Sequence, residues 1–99
     1  MSSVTEAWKA WQEGLANKDS SKVGEFFTDD FRFVSNIRDI GKQETLDWTA
    51  GGGNPTSIDD LEVLYENDEV AVIYHSANRP NVVMALYTKR GDKFSHCRT

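Results

Sequence analysis

The chain has 99 residues, 38% of them hydrophobic and 11% aromatic with three Trp, which is enough apolar surface for one domain core and too much for a disordered segment. Sixteen Asp and Glu against 11 Lys and Arg leave a net charge of −5, which argues against nucleic acid and against an anionic membrane surface as partners. A single cysteine, Cys97, excludes an internal disulfide, no run approaches the roughly 18–20 apolar residues of a spanning helix, and the first residues carry no secretory pattern, so a single cytoplasmic domain over residues 1–99 is expected.

Ser3 and Glu6 form the S-x-x-E capping-box pattern, and Val4, Trp8, Trp11 and Leu15 recur behind it at helical spacing. They predict a helix from about 4 to 17 whose Trp-bearing face needs a large partner such as a sheet. Asp19 or Ser20 caps a shorter second helix holding Val23, Phe26 and Phe27. Phe31 to Ser35 reads as a strand, 36–41 as a turn, and Lys42 to Thr49 as a third helix closed by Gly51-Gly52-Gly53-Asn54-Pro55. Four strands follow, at Leu61–Tyr65, Val70–Ser76, Val82–Lys89 and Phe94–Arg98, separated by turns at Glu66-Asn67-Asp68, around Pro80, and at Arg90-Gly91-Asp92. Helices first and an antiparallel meander last give an α+β class, with the helices on one face of a curved sheet.

Three stretches carry a family resemblance: Leu15-Ala16-Asn17-Lys18-Asp19 between the first two helices, Phe26-Phe27-Thr28-Asp29-Asp30 leading into the first strand, and Gly41-Lys42-Gln43-Glu44 opening the third helix. With the turns Asn67-Asp68-Glu69 and Lys89-Arg90-Gly91-Asp92, the chain resembles the nuclear transport factor 2-like superfamily over nearly its whole length, especially the SnoaL-like and ketosteroid-isomerase-like branches. The resemblance implies a cone: a curved, mainly antiparallel sheet wrapped round the first helix, a pocket inside it, and an outer sheet face used for homodimers. It does not supply a reaction.

Ketosteroid-isomerase-like enzymes need a carboxylate base on the first strand, with a Tyr and a protonated Asp as oxyanion donors. The matching positions here hold Ser35, Gln12 and Met84, so that chemistry is not expected. Trp11, Phe33, Ser35, Trp48, Tyr74 and Met84 are the expected pocket residues, suited to a small apolar or aromatic ligand, with Ser35 able to hydrogen-bond it and Trp48 at the mouth. Trp8 and Tyr87 are further aromatic candidates, and Trp8 reads first as core. His75 and Asp39 are the candidate acids or bases for a lyase, isomerase or hydrolase.

On the expected register Val70, Val72 and Tyr74 face the pocket. His75 then faces outward, a register shift of one reversing this, and Ala71, Ile73, Val83 and Ala85 form the dimer face. His96 and Cys97 are strand neighbours on opposite faces, so no metal site is expected, and no cofactor. The acidic stretch from Asp59 to Glu69 and the basic residues from Arg79 to Arg98 read as complementary strands. A small-molecule-binding domain leads, with a non-catalytic homodimeric assembly module and an enzyme with an atypical acid or base as alternatives.

Overall fold

The capping box at Ser3 forms as its residues dictate. Ser3 Oγ accepts from the Glu6 N–H and Glu6 Oε1 accepts from the Ser3 N–H, both at 3.2 Å. Behind this cap, in a computed structural model that describes residues 3–51 and 57–99, helix α1 runs Val4–Asn17 and buries Val4, Ala7, Trp8, Ala10, Trp11 and Leu15. Lys18 ends it in the left-handed region at φ 55°.

Close approach of the chain after α1 explains one glycine. A Cβ on Gly14 would sit 2.6 Å from the Asp19 carbonyl oxygen and 3.2 Å from Thr49 Cγ2. In an exposed helix Gly→Ala gains about 1 kcal/mol from propensity. Here the clash is with backbone that cannot swing away, and overpacking costs about 1–3 kcal/mol. Gly14→Ala is therefore expected to lower the urea midpoint; a rise would mean that the Asp19 turn relaxes freely.

The second helix, α2, is one turn, Ser21–Gly24. The expected helical placement of Phe26 and Phe27 is corrected: Phe27 opens strand β1, Phe27–Val34, and Phe26 offers its carbonyl to the Phe94 N–H at 2.7 Å. The backbone irregularity between Phe27 and Arg32 lets Phe27 and Phe31 stack, with ring centroids 3.9 Å apart and both rings buried. A second correction is strand β2, Asp39–Gly41, in the segment expected to be a turn. It pairs antiparallel with β1, and Asp39 Oδ1 receives both Nε (3.0 Å) and Nη2 (2.6 Å) of Arg32.

Helix α3, Lys42–Ala50, packs through Thr45 and Thr49, whose hydroxyls donate to the carbonyls four residues back and so enter the core satisfied. The glycine run after it falls, at Gly52, Gly53, Asn54 and Pro55, outside the described residues. Strands β3 (Ile58–Glu66), β4 (Val70–Ala77), β5 (Val82–Arg90) and β6 (Lys93–Arg98) complete one sheet of order β2-β1-β6-β5-β4-β3, parallel only between β1 and β6. The helices cover one face. Among the described residues no helix is long and apolar enough to cross a membrane.

The meander's register is the reverse of the expected one. Ala71, Ile73 and His75 point to the helices and are buried, while Tyr74 is exposed. The β4–β5 ladder pairs Tyr74 with Met84, His75 with Val83 and Ile73 with Ala85. Directly opposed residues share a face, so Val83 and Ala85 also turn inward and Met84 outward. The face opposite the helices thus carries Tyr65, Tyr74, Val82, Met84 and Leu86, all exposed, in place of the expected Ala71, Ile73, Val83 and Ala85. On this register His75 stands edge-on to Trp8 of α1 at 5.7 Å, and Ala71, Ile73, Ala85 and Tyr87 are buried on the same face.

Oppositely charged partners do meet across the described fold, including Lys89 with Glu66 at 2.8 Å, Arg79 with Asp60 at 2.9 Å, and Arg90 with Asp30.

Candidate functional site

The concave side of the sheet and the Trp-bearing face of α1 do not close completely on each other. They leave a cavity of about 500 Å³ lined by side chains from α1, α3 and all the strands except β2. Trp11, Phe33, Ser35 and Trp48 line it. Tyr74 and Met84 do not: they are a cross-strand pair on the opposite face, and their places are taken by the inward neighbours His75 and Val83. Tyr87 and Cys97 also line it, one opposite the other on β5 and β6, with Phe33 next in the same row on β1.

Trp11 is fixed from three sides. Its Nε1 donates to Thr49 Oγ1 at 2.8 Å, and its ring meets Phe27 and Phe33 edge-on at centroid distances of 5.3 and 5.6 Å. Trp8 stands edge-on to His75 at 5.7 Å, and its Nε1 is buried with no hydrogen-bond partner among the described residues.

Polar chemistry inside is sparse. His75 is 7% exposed, and its Nδ1 lies 2.9 Å from the Ser76 carbonyl oxygen. A carbonyl only accepts, so Nδ1 carries the proton and Nε2 is left as an acceptor without a partner among the described residues. Burial pushes the imidazole below its ordinary value, outweighing the Ser76 carbonyl, which pulls the other way. Burial likewise pushes the Cys97 thiol up to about 12 and the Tyr87 phenol well above its ordinary value, so both stay protonated and neither is a nucleophile at neutral pH.

The deep site therefore offers one neutral nitrogen base in an apolar chamber, able to accept a hydrogen bond or a proton from a bound molecule. The expected outward placement of His75 is corrected. Asp39, the other candidate base, is exposed on β2, held by Arg32 and away from the cavity. Gln12 turns aside as well, donating to the Ile58 carbonyl at 2.7 Å and to Asp59 at 3.2 Å.

His75 makes stability depend on pH in a predictable direction. The native imidazole resists protonation, whereas the unfolded one takes a proton below about its ordinary 6.5. The contribution is complete above that value and is lost as pH falls from it toward the depressed native value. Urea midpoints at about pH 7.5 and about pH 5.5 are expected to differ less in His75→Gln than in the parent. Equal differences in the two proteins would show that the ring is solvated.

At the mouth the turn between β1 and β2 presents Ser35, Asn36, Ile37 and Arg38. The Ser35 N–H donates to the Arg38 carbonyl at 2.8 Å, and Ser35 Oγ accepts from the Ile37 N–H at 3.3 Å, so that hydroxyl keeps its own proton free to donate. The Arg38 guanidinium lies over the Trp48 ring, 5.2 Å from its centroid. Alternation in β4 and β5 places His75 and Val83 on one face but does not say which face is inward, so the sequence alone missed them.

No protein-family description and no curated protein matches the sequence. Solved structures do. A nuclear transport factor 2-like protein of unknown function from Cytophaga hutchinsonii superposes with a TM-score of 0.72 at 8% identity, over 99% of this chain and 88% of that one. A putative polyketide cyclase from Xanthomonas campestris superposes with a TM-score of 0.70 at 10% identity, over 95% and 86%. A hypothetical protein with a ketosteroid isomerase-like fold from Catenulispora acidiphila, solved with trimethylamine, gives 0.66 at 14% identity, over 97% and 85%. Identities this low carry the fold and leave the activity open.

Proposed function

We propose that this chain, which has the nuclear transport factor 2-like fold, is a small-molecule-binding domain whose ligand is apolar or aromatic and sits between α1 and the sheet. The cavity of about 500 Å³ carries this reading, because pockets that bury small organic ligands span roughly 300–1,000 Å³, whereas a purely structural cone fills its interior with side chains. Its walls are aromatic and aliphatic, and its few polar atoms are fixed in place before any ligand arrives, which reduces the ordering cost of binding. The putative cyclase and the trimethylamine complex among the structural neighbours fit a fold used to hold small molecules.

All three Trp line the cavity, so binding has an intrinsic reporter. Titration with N-phenyl-1-naphthylamine, a neutral apolar aromatic probe, should quench Trp emission saturably at one probe per chain. Val83→Phe, which fills part of the cavity, should weaken it. Quenching that rises linearly without saturation, or is indifferent to Val83→Phe, would contradict the reading.

A second reading concerns assembly and rests on the other sheet face. Tyr65, Tyr74, Val82, Met84 and Leu86 expose apolar surface there, and a 99-residue domain gains from covering it. The occupant proposed is a second copy of this chain, because a two-fold pair covers the same exposed apolar patch on both copies, burying on the order of 1,200–2,000 Å² in total. Light scattering at tens of micromolar should return a dimer mass for the parent and a monomer mass for Met84→Glu; a monomeric parent would remove this reading and leave the pocket untouched.

A further inference from the structure

Arg38 is the one cationic side chain among those lining the cavity, and its local chemistry is unusual for a surface arginine. It is half-buried, its guanidinium carbon lies over the Trp48 ring at 5.2 Å from the centroid, and among the described residues no carboxylate lies within ion-pair distance of it. The adjacent Asp39 is committed to Arg32 by two hydrogen bonds. The backbone on which Arg38 stands is itself held, by the Ser35 N–H on its carbonyl and by the pairing of Asp39 with Val34. Neighbouring polar groups at the same rim, Ser35 and Asn36, are neutral. A half-buried, positioned guanidinium with no carboxylate partner, beside an apolar chamber, is a receptor for a negative charge attached to an apolar body.

Resting on the ligand-binding reading above, we infer that the cavity takes a small amphipathic monocarboxylate, its aromatic or aliphatic body among Trp11, Phe33, Trp48 and Tyr87 and its carboxylate on Arg38 at the mouth. The charge count favours one negative charge over two. A single guanidinium faces the site in a chain of net charge −5, so a phosphate dianion would meet one cation and a repulsive background field. The planar fork of Arg38 matches the two oxygens of a carboxylate, and the free Ser35 hydroxyl proton adds a donor at the same rim. His75 stands on β4, three strand positions from β1 in the sheet order, and lines the same cavity.

The alternative for Arg38 is a stacking role only, shielding Trp48 from water. The two roles separate by the charge of the probe. Calorimetric titration with 2-naphthoate and with 2-naphthalenemethanol, its neutral near-isostere, compares head groups on one apolar body. The parent is expected to bind naphthoate about tenfold or more tightly than the alcohol. Arg38→Met is expected to weaken naphthoate far more than the alcohol and so close the gap between the two probes, and Arg38→Lys to fall between. Equal affinities in the parent, or equal weakening of both probes in Arg38→Met, would overturn the carboxylate assignment while leaving a ligand-binding cavity. Binding of neither probe by the folded parent would overturn the assignment and the ligand-binding reading together.

Discussion

Trp11→Ala is expected to be the most destabilising single truncation in the chain, costing about 3–5 kcal/mol. The indole is 5% exposed, packs edge-on against Phe27 and Phe33, and donates to Thr49, which joins α1 to α3 and to the sheet at one point. A domain of this size is stable by only about 5–15 kcal/mol, so the loss is roughly a fifth of the total or more, and the melting temperature should fall by roughly 12 °C or further.

Trp11→Phe divides the effect. It keeps most of the apolar volume and removes the hydrogen bond, and Thr49 still donates to the Thr45 carbonyl, so its cost is expected nearer 1 kcal/mol. Urea unfolding of the three proteins measures both terms. Trp11→Ala within about 1 kcal/mol of the parent would mean that the cavity collapses to fill the space, and that α1 is not anchored where its side chain lies.

The same residue shows how much of the molecule is legible in the order of its amino acids. Trp11 declares itself because α1 has one apolar stripe at a period of 3.6, a capping box in front, and polar residues elsewhere. Strand β4 has no such asymmetry. Val70, Val72 and Tyr74 on one side and Ala71, Ile73 and His75 on the other are both apolar enough to be a core face. The choice between them is made by packing against α1, where His75 meets Trp8, a tertiary fact that alternation does not encode. Taking Val70, Val72 and Tyr74 as the inward set reversed the strand, and cross-strand pairing carried the reversal from Tyr74 to Met84.

Single-residue features on β1 and α3 were legible for a different reason. Phe33, Ser35 and Trp48 sit where a motif, a strand end or a glycine run marks position without needing the face of a meander strand. The short strand β2 escaped because its three residues, Asp39, Ile40 and Gly41, are defined by their ladder to β1 and by the Arg32–Asp39 contacts rather than by local strand propensity.

The second large effect concerns a pair of charges the sequence presents only as members of an acidic and a basic stretch. Lys89 Nζ lies 2.8 Å from Glu66 Oε2, with the Lys side chain 5% exposed and the Glu side chain 24% exposed. The same carboxylate oxygen accepts the Val4 N–H at 2.6 Å, so it also satisfies a donor at the N-terminus of α1, where the helix dipole favours a negative charge. Lys89→Met keeps the aliphatic stem beside Phe94 and removes only the ammonium, leaving a largely buried carboxylate with one weaker partner.

Breaking a fully buried pair from one side costs about 3–5 kcal/mol, and the residual exposure of Glu66 reduces that to about 2–4 kcal/mol at neutral pH. Acid should close the gap. Burial pushes the Glu66 carboxyl up, but the Lys89 ammonium and the Val4 N–H outweigh it and hold the carboxyl below its ordinary 4.5. The parent's gain is therefore complete above about that value and is lost as pH falls through the lower native one. The variant lacks the ammonium and has little to lose, so the difference between the two proteins should shrink as the solution is acidified below about pH 4.5. Adding Glu66→Gln to Lys89→Met should recover part of the loss at neutral pH, because the uncompensated charge is gone and an amide oxygen still accepts from Val4. Denaturation of the four proteins of this cycle at pH 7 measures the coupling; single and double variants that simply add would show that the ion pair contributes nothing beyond its separate side chains.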